Sequence, residues 1–201
     1  MKIGFIVECG KDGAEAKAIP ALASRIAPSA VLQVVPMDNK PRLKRGCGEA
    51  VKRLLNTGCE RVLILWDLLP DWGEQSNKGC RHLDKKEICE SIRSEGLDPR
   101  DARIRLICIE KMLEAWIRAD ERALSAFLST AAHPIPVARC KNPESISDPK
   151  AALIDLFRKS GSPIRRYVDY EHAIRIVRLL PDLNRLRRAE SFRWFEGKLT
   201  E

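Results

Sequence analysis

Three carboxylates follow apolar stretches in this chain: Glu8 comes directly after Lys2-Ile-Gly-Phe-Ile-Val7, Asp67 directly after Arg61-Val-Leu-Ile-Leu-Trp66, and Asp71 lies four residues further on. Parallel strands of an α/β sheet deliver their C-terminal ends to one edge, so acids far apart in sequence meet in one crevice. Oxygen donors gathered there suit a hard divalent cation. Magnesium keeps several of its waters and needs only one or two carboxylates besides a substrate phosphate. Beside a phosphodiester it polarises the phosphoryl oxygen and acidifies bound water. The expected chemistry is phosphoryl transfer or hydrolysis. The same residues also fit local turn and cap chemistry, Asp67 and Asp71 flanking Pro70, and spacing alone does not choose between the two.

A second group follows at residues 108–120. Glu110 and Glu114 are four apart and share a face if a helix begins at the strand end, which would bring both to the edge occupied by Asp67. The alternative makes Glu114 a solvated helix residue and Trp116 a core anchor.

The elements that must position these side chains alternate. Strands are expected at 2–7, 31–35, 61–66 and 102–109, with helices at 14–27 (interrupted or tightened near Pro20), about 47–56 and 83–94. The unbroken apolar run of 61–66 implies cover on both faces, as in an inner strand of a mostly parallel sheet. Residues 37–46 read as a polar, basic loop. Beyond Glu110 only helical patterns remain, at 112–119, 121–129, 149–158, 169–179 and 189–199. The expectation is an open α/β sheet domain at 1–130, a linker at 131–148 marked by prolines, and a C-terminal helical segment at 149–201 packed on the sheet.

Composition narrows the classes. With 201 residues, 44% of them hydrophobic, the chain can bury a core and is not disordered. A net charge of +8 suits a polyanionic partner without specifying one. No basic stretch followed by an apolar h-region opens the sequence, and no apolar run approaches the roughly 18 residues of a membrane span. A cytoplasmic protein is expected. The seven cysteines form no C-x-x-C pair and read as reduced thiols. Cys80, His82 and Cys89 have irregular spacing for zinc, and Cys9 and Cys108 read as small packing residues.

Taken together, the strand ending in Glu8, the strand ending in Asp67, the string Glu114-Ala-Trp-Ile-Arg-Ala-Asp120, the Asp148-Pro-Lys150 segment, the stretch around Tyr167 and Tyr170 and the closing Ser191-Phe-Arg-Trp-Phe-Glu-Gly-Lys-Leu199 resemble the DUF4276 family of Toprim-like proteins through essentially the whole chain. The resemblance implies a Toprim-like open, mostly parallel sheet with a glutamate after the first strand, matched by Glu8, and an Asp-x-Asp pair after a later one, begun by Asp67. Leu69 stands where that pair has its second acid, so Asp71 or Glu74 would have to supply it. After Glu8 the chain reads Cys-Gly-Lys-Asp12 where the family often has Gly-x-Thr-Glu, leaving Asp12 or Glu15 as stand-ins. Relatives include topoisomerases, primases, a group of RNA-maturing ribonucleases and nucleases of anti-phage defence.

The expected activity is therefore a metal-dependent nuclease using Mg2+ or Mn2+ on DNA or RNA. Glu8, Asp67, Asp71 and Glu114 are the expected metal ligands, and Glu8, Asp67 and Lys150 the catalytic set, Lys150 offering a point charge to the scissile phosphate. A partner ATPase or a homo-oligomer is part of the same expectation. Lys40, Arg42, Lys44 and Arg45, with Arg193, are expected to carry the phosphate backbone, although each also fits a merely solvated face. Tyr167, Tyr170, Phe192 and Trp194 could stack bases or anchor the last helix. The competing expectation is a Toprim fold without catalysis that binds nucleic acid or protein.

Overall fold

The computed structural model describes residues 1–69 and 80–201, so Asp71 and Glu74 lie outside the described residues. Among the described residues the sheet has four strands, β1 (Lys2–Val7), β2 (Val31–Pro36), β3 (Arg61–Asp67) and β4 (Ile104–Ile109), all parallel, in the order β2-β1-β3-β4. Parallel strands need crossovers, supplied by α1 (Ala14–Ile26), α2 (Lys40–Asn56) and α3 (Arg81–Ser94). The chain is α/β with an open parallel sheet.

Alternation of side chains divides the core into two layers. Ile3, Phe5 and Val7 with Leu63 and Leu65 face α1 and the helices that follow β4. Ile6, Val62, Ile64 and Trp66 face α2 and α3. The crossover after β1 therefore goes to one face and that after β3 to the other. Since these strands are neighbours, their C-terminal ends flank a crevice at the point where strand order reverses.

After β4 come α4 (Leu113–Ala119), α5 (Glu121–Leu128), α6 (Pro149–Lys159), α7 (Asp169–Arg178) and α8 (Glu190–Thr200). They share one core with β1, β3 and α1. At its centre Trp116 meets Phe192 edge-on at 5.1 Å and Phe195 at 5.4 Å, while its indole N–H donates to Ser191 Oγ at 2.8 Å. Residues 131–148 pass between α5 and α6 and include a single 3-10 turn at Pro143–Ser145.

Two local expectations are corrected. Pro20 does not interrupt α1, which runs unbroken through it. The supposed basic loop at 37–46 is largely helix: Asp38 takes a φ of 68°, Asn39 caps Arg42 N–H at 3.0 Å, and Pro41 sits in the first turn, where its missing donor costs nothing. Gly46 was expected in that loop and Gly48 in the helix after it. Gly48 is a contact point, because a Cβ there would lie 1.9 Å from the Ser91 carbonyl oxygen of α3. Its N–H donates to Ser91 Oγ at 3.0 Å, and Ser91 in turn donates to the Arg45 carbonyl at 2.9 Å. Gly48→Ala should therefore push α2 from α3 and cost about 1–3 kcal/mol, read as a lower urea midpoint. An unchanged midpoint would show that the two helices do not approach this closely.

Candidate functional site

In-register pairing of Val7 with Leu65 places Glu8 opposite Trp66, with Asp67 one residue further out along the neighbouring strand. The Asp67 N–H donates to Glu8 Oε2 at 3.2 Å. Asp67 Oδ1 is buried and accepts no hydrogen bond. On the other side of Glu8, Asp38 N–H donates to the Cys9 carbonyl at 3.1 Å, so the end of β2 is zipped to the same turn.

Four helices start at this rim. The turn Gly10 to Gly13 closes with a 2.9 Å hydrogen bond, and Gly13 is required because a Cβ would meet Cys9 Cβ at 2.5 Å. Cys9 Sγ accepts from Ala16 N–H at 3.3 Å, capping the first turn of α1, which carries Glu15. Glu114 lies in the first turn of α4, Lys150 follows the Asp148 cap of α6, and Asp169 opens α7. Together with Glu8 and Asp67 these side chains line a cleft of about 490 Å3. The positive ends of four helices favour negative charge there.

Six carboxylates against one lysine make the cleft acidic. Lys150 Nζ is ion-paired with Asp169. Glu114 is only 5% exposed and receives the Tyr167 hydroxyl at 3.4 Å on Oε1. Burial pushes the Glu8 carboxyl up to about 7, against the opposing pull of the Asp67 N–H and Lys40. Burial and then the Glu15 charge push Glu114 up to about 7. Asp67 is raised well above its ordinary range by burial and by the charges of Glu15, Glu8 and Glu114. Desolvated carboxyls crowded this way hold protons that a cation would displace. The donor set, oxygen only and including the unpartnered Asp67 Oδ1, fits a hard divalent ion. It is a lining and not a closed cage, since among the described residues no three His, Cys, Asp or Glu side chains group around one point.

Of the expected site residues, the structure brings together Glu8, Asp67, Glu114 and Lys150, whereas Asp71 is outside the described residues. The basic cluster expected on a loop is redistributed. Lys40 is 2% and Lys44 8% exposed. Both reach the buried Asp84, at 3.0 and 3.3 Å, and Lys44 also reaches Glu87 at 3.1 Å. These lysines are interior ion-pair partners and cannot lie along a phosphate backbone. Arg42 is exposed but paired with Asp38 at 2.5 Å, and Arg45 is exposed on the same helix. Arg193 sits with Arg25 and Thr200, at the ends of α1 and α8, in a groove away from the carboxylates.

Glu110 precedes α4, pairs with Arg81 and does not join the cleft. Phe192 is core, Trp194 is 41% exposed beneath Arg81, Tyr167 is buried and Tyr170 exposed. Asp148, Asp169 and Glu15 were not among the expected site residues, although Asp148 belonged to the Asp-Pro-Lys string and Glu15 was weighed as a stand-in. Nothing in the sequence singled out Asp169. Comparison with protein-family models, curated proteins and solved structures gives no match. The fold and site define a class only: an open α/β domain with a carboxylate-lined cleft at its strand-order reversal.

A carboxyl that loses its proton near 4.5 when unfolded and near 7 when folded makes the fold less stable as pH rises through that window, the loss levelling off above about 7. Glu114→Gln should therefore stabilise the metal-free protein at pH 8 by about 1–3 kcal/mol and much less at pH 5. Thermal melts in chelator at the two pH values check this. Equal effects at both would mean Glu114 is ionised throughout.

Proposed function

We propose that this chain is a divalent-metal-dependent phosphodiesterase of the Toprim-like type, a nuclease acting on DNA or RNA, with a role in anti-phage defence as the family resemblance implies. The observation that carries the reading is the convergence of Glu8, Asp67 and Glu114, the buried Asp67 Oδ1 unpartnered, on one cleft whose far wall holds Lys150. An open lining suits magnesium or manganese, which keep waters and take substrate oxygens as further ligands. Glu8, Asp67 and Glu114 would hold the ion, and Glu15 adds charge beside them. When bound, the ion neutralises phosphate oxygens and makes water a better nucleophile.

The chain's own groups do the rest. The Glu8 carboxylate is oriented by the Asp67 N–H, and Glu114 by the Tyr167 hydroxyl. Lys150, steadied by Asp169, presents a cation where phosphate charge increases. Glu8 and Glu114, which keep protons near neutrality in the metal-free protein, would give them up as the ion binds. No helix among the described residues is long and apolar enough to cross a membrane, in keeping with a cytoplasmic enzyme. A partner ATPase or a second copy belongs to the same proposal.

A second reading, a non-cleaving nucleic-acid-binding or protein-interaction module, is favoured by one observation: Leu69 occupies the place of the second motif acid. Incubation with plasmid, linear and single-stranded substrates in Mg2+ or Mn2+ separates the two. Glu8→Gln and Asp67→Asn should each lower cleavage by roughly a hundredfold or more, the equivalent of the several kcal/mol a catalytic metal supplies. Cleavage that survives both substitutions would remove the metal-centred reading.

A further inference from the structure

With Lys40 and Lys44 buried, the surface that receives the substrate must be sought at the cleft itself. Some exposed arginines of this chain face a carboxylate, as Arg42 with Asp38, Arg103 with Asp101, Arg158 with Asp155 and Arg187 with Glu196. Others do not, among them Arg53, Arg93, Arg165 and Arg166, and what sets Arg165 and Arg166 apart is their place four and three residues before the cleft-lining Asp169. Both are exposed, and neither has an ion-pair or hydrogen-bond partner among the described residues.

Their position is fixed by their neighbours. Tyr167 follows at once, buried with its hydroxyl on Glu114, and Asp169, three residues beyond Arg166, lines the cleft. At about 3.8 Å per residue the Arg166 Cα is within about 11 Å of that of Asp169, well inside the combined reach of an arginine side chain and a nucleotide. Tyr170 comes next, 57% exposed, and its carbonyl accepts from Lys17 Nζ at 3.4 Å, which brings a third cation from α1 to the same lip. Ile154, 43% exposed, lines the cleft from α6.

We propose that Arg165, Arg166 and Tyr170 form the substrate-binding lip of this cleft and that the strand it takes is single-stranded nucleic acid. The proposal rests on the phosphodiesterase reading only for what happens after binding. Unpaired guanidinium groups grip phosphates bidentately, without sequence preference. An exposed tyrosine is a platform for a base whose face is free, which a strand offers and a stacked duplex does not. A cleft of about 490 Å3 has room for a nucleotide-sized group, not for a double helix.

The test is binding of the full chain to a labelled strand of about 12 nucleotides and to its duplex, by fluorescence anisotropy in chelator, where nothing is cut. Arg165→Ala/Arg166→Ala should weaken strand binding at least tenfold and flatten the dependence of log affinity on log salt by about 1.4, two phosphates at roughly 0.7 each. Tyr170→Ala should weaken binding roughly fivefold or more, with the salt slope unchanged. Arg53→Ala/Arg93→Ala, a charge-matched pair in the last turns of α2 and α3, should bind as the unaltered protein does.

Equal behaviour of the two arginine pairs, or duplex bound as tightly as strand, overturns the lip. The two proposals fail separately. Normal binding by the lip variants with cleavage abolished by Glu8→Gln removes the lip and keeps the nuclease. Impaired binding in a protein that cuts nothing keeps the lip and removes the nuclease.

Discussion

Glu8 and Asp67 are 59 residues apart and lie together because β1 and β3 pair in parallel and in register at the centre of the sheet. The apolar faces of these strands are covered on both sides, which leaves no freedom to slip: a shift by one residue would exchange Phe5 and Ile6 between layers. The carboxylates are thus held together by the packing of their neighbours, against their own repulsion. The raised protonation of Glu8, Asp67 and Glu114 is the physical trace of that opposition. Helix starts at α1, α4, α6 and α7 partly offset it, since each presents unpaired N–H groups to the rim.

Behind this rim lies a second charged construction with a different purpose. Asp84, 2% exposed, receives Lys40 Nζ at 3.0 Å, Lys44 Nζ at 3.3 Å and the Trp66 indole N–H at 3.1 Å. Lys40 also donates to the Leu68 carbonyl at 3.1 Å. A buried ion pair of this kind contributes little net stability but strongly fixes geometry, because leaving any member alone in the interior is expensive. Here it ties α2 and α3 to the residues on either side of Asp67. The lysines that resemble a nucleic-acid surface in sequence serve as scaffold, and the charge of Lys40 reaches Glu8 and Asp67 from within.

The strands were legible because a parallel sheet buried on both faces needs unbroken apolar runs, and those at 2–7 and 61–66 admit no other period. The convergence of Glu8 with Asp67 followed from the same logic. The start of α2 was not legible, since Pro41 and Gly46 carry loop chemistry until Asn39 is seen to cap the helix and Pro41 to sit in its first turn. Burial of Lys40 and Lys44 depends on Asp84, some forty residues away and on another helix, a pairing that no local pattern encodes. Glu110 misled for the opposite reason: its spacing from Glu114 is helical, but the chain does not become helix until Leu113.

The cleft is not a property of the sheet alone. One wall comes from β1, β3 and α1, the other from the starts of α4, α6 and α7, and the aromatic group of Phe157, Tyr167 and His172 locks the latter elements together, with Tyr167 5.3 Å from Phe157. Tyr167 joins the two parts directly, because its ring belongs to the helical layer and its hydroxyl to Glu114. Lys150 and Asp169 neutralise each other across α6 and α7, but both walls carry acids: Glu8, Glu15 and Asp67 on one, Glu114, Asp148 and Asp169 on the other. That acidic lining arises only because the C-terminal helices are packed into the same core as the first strand.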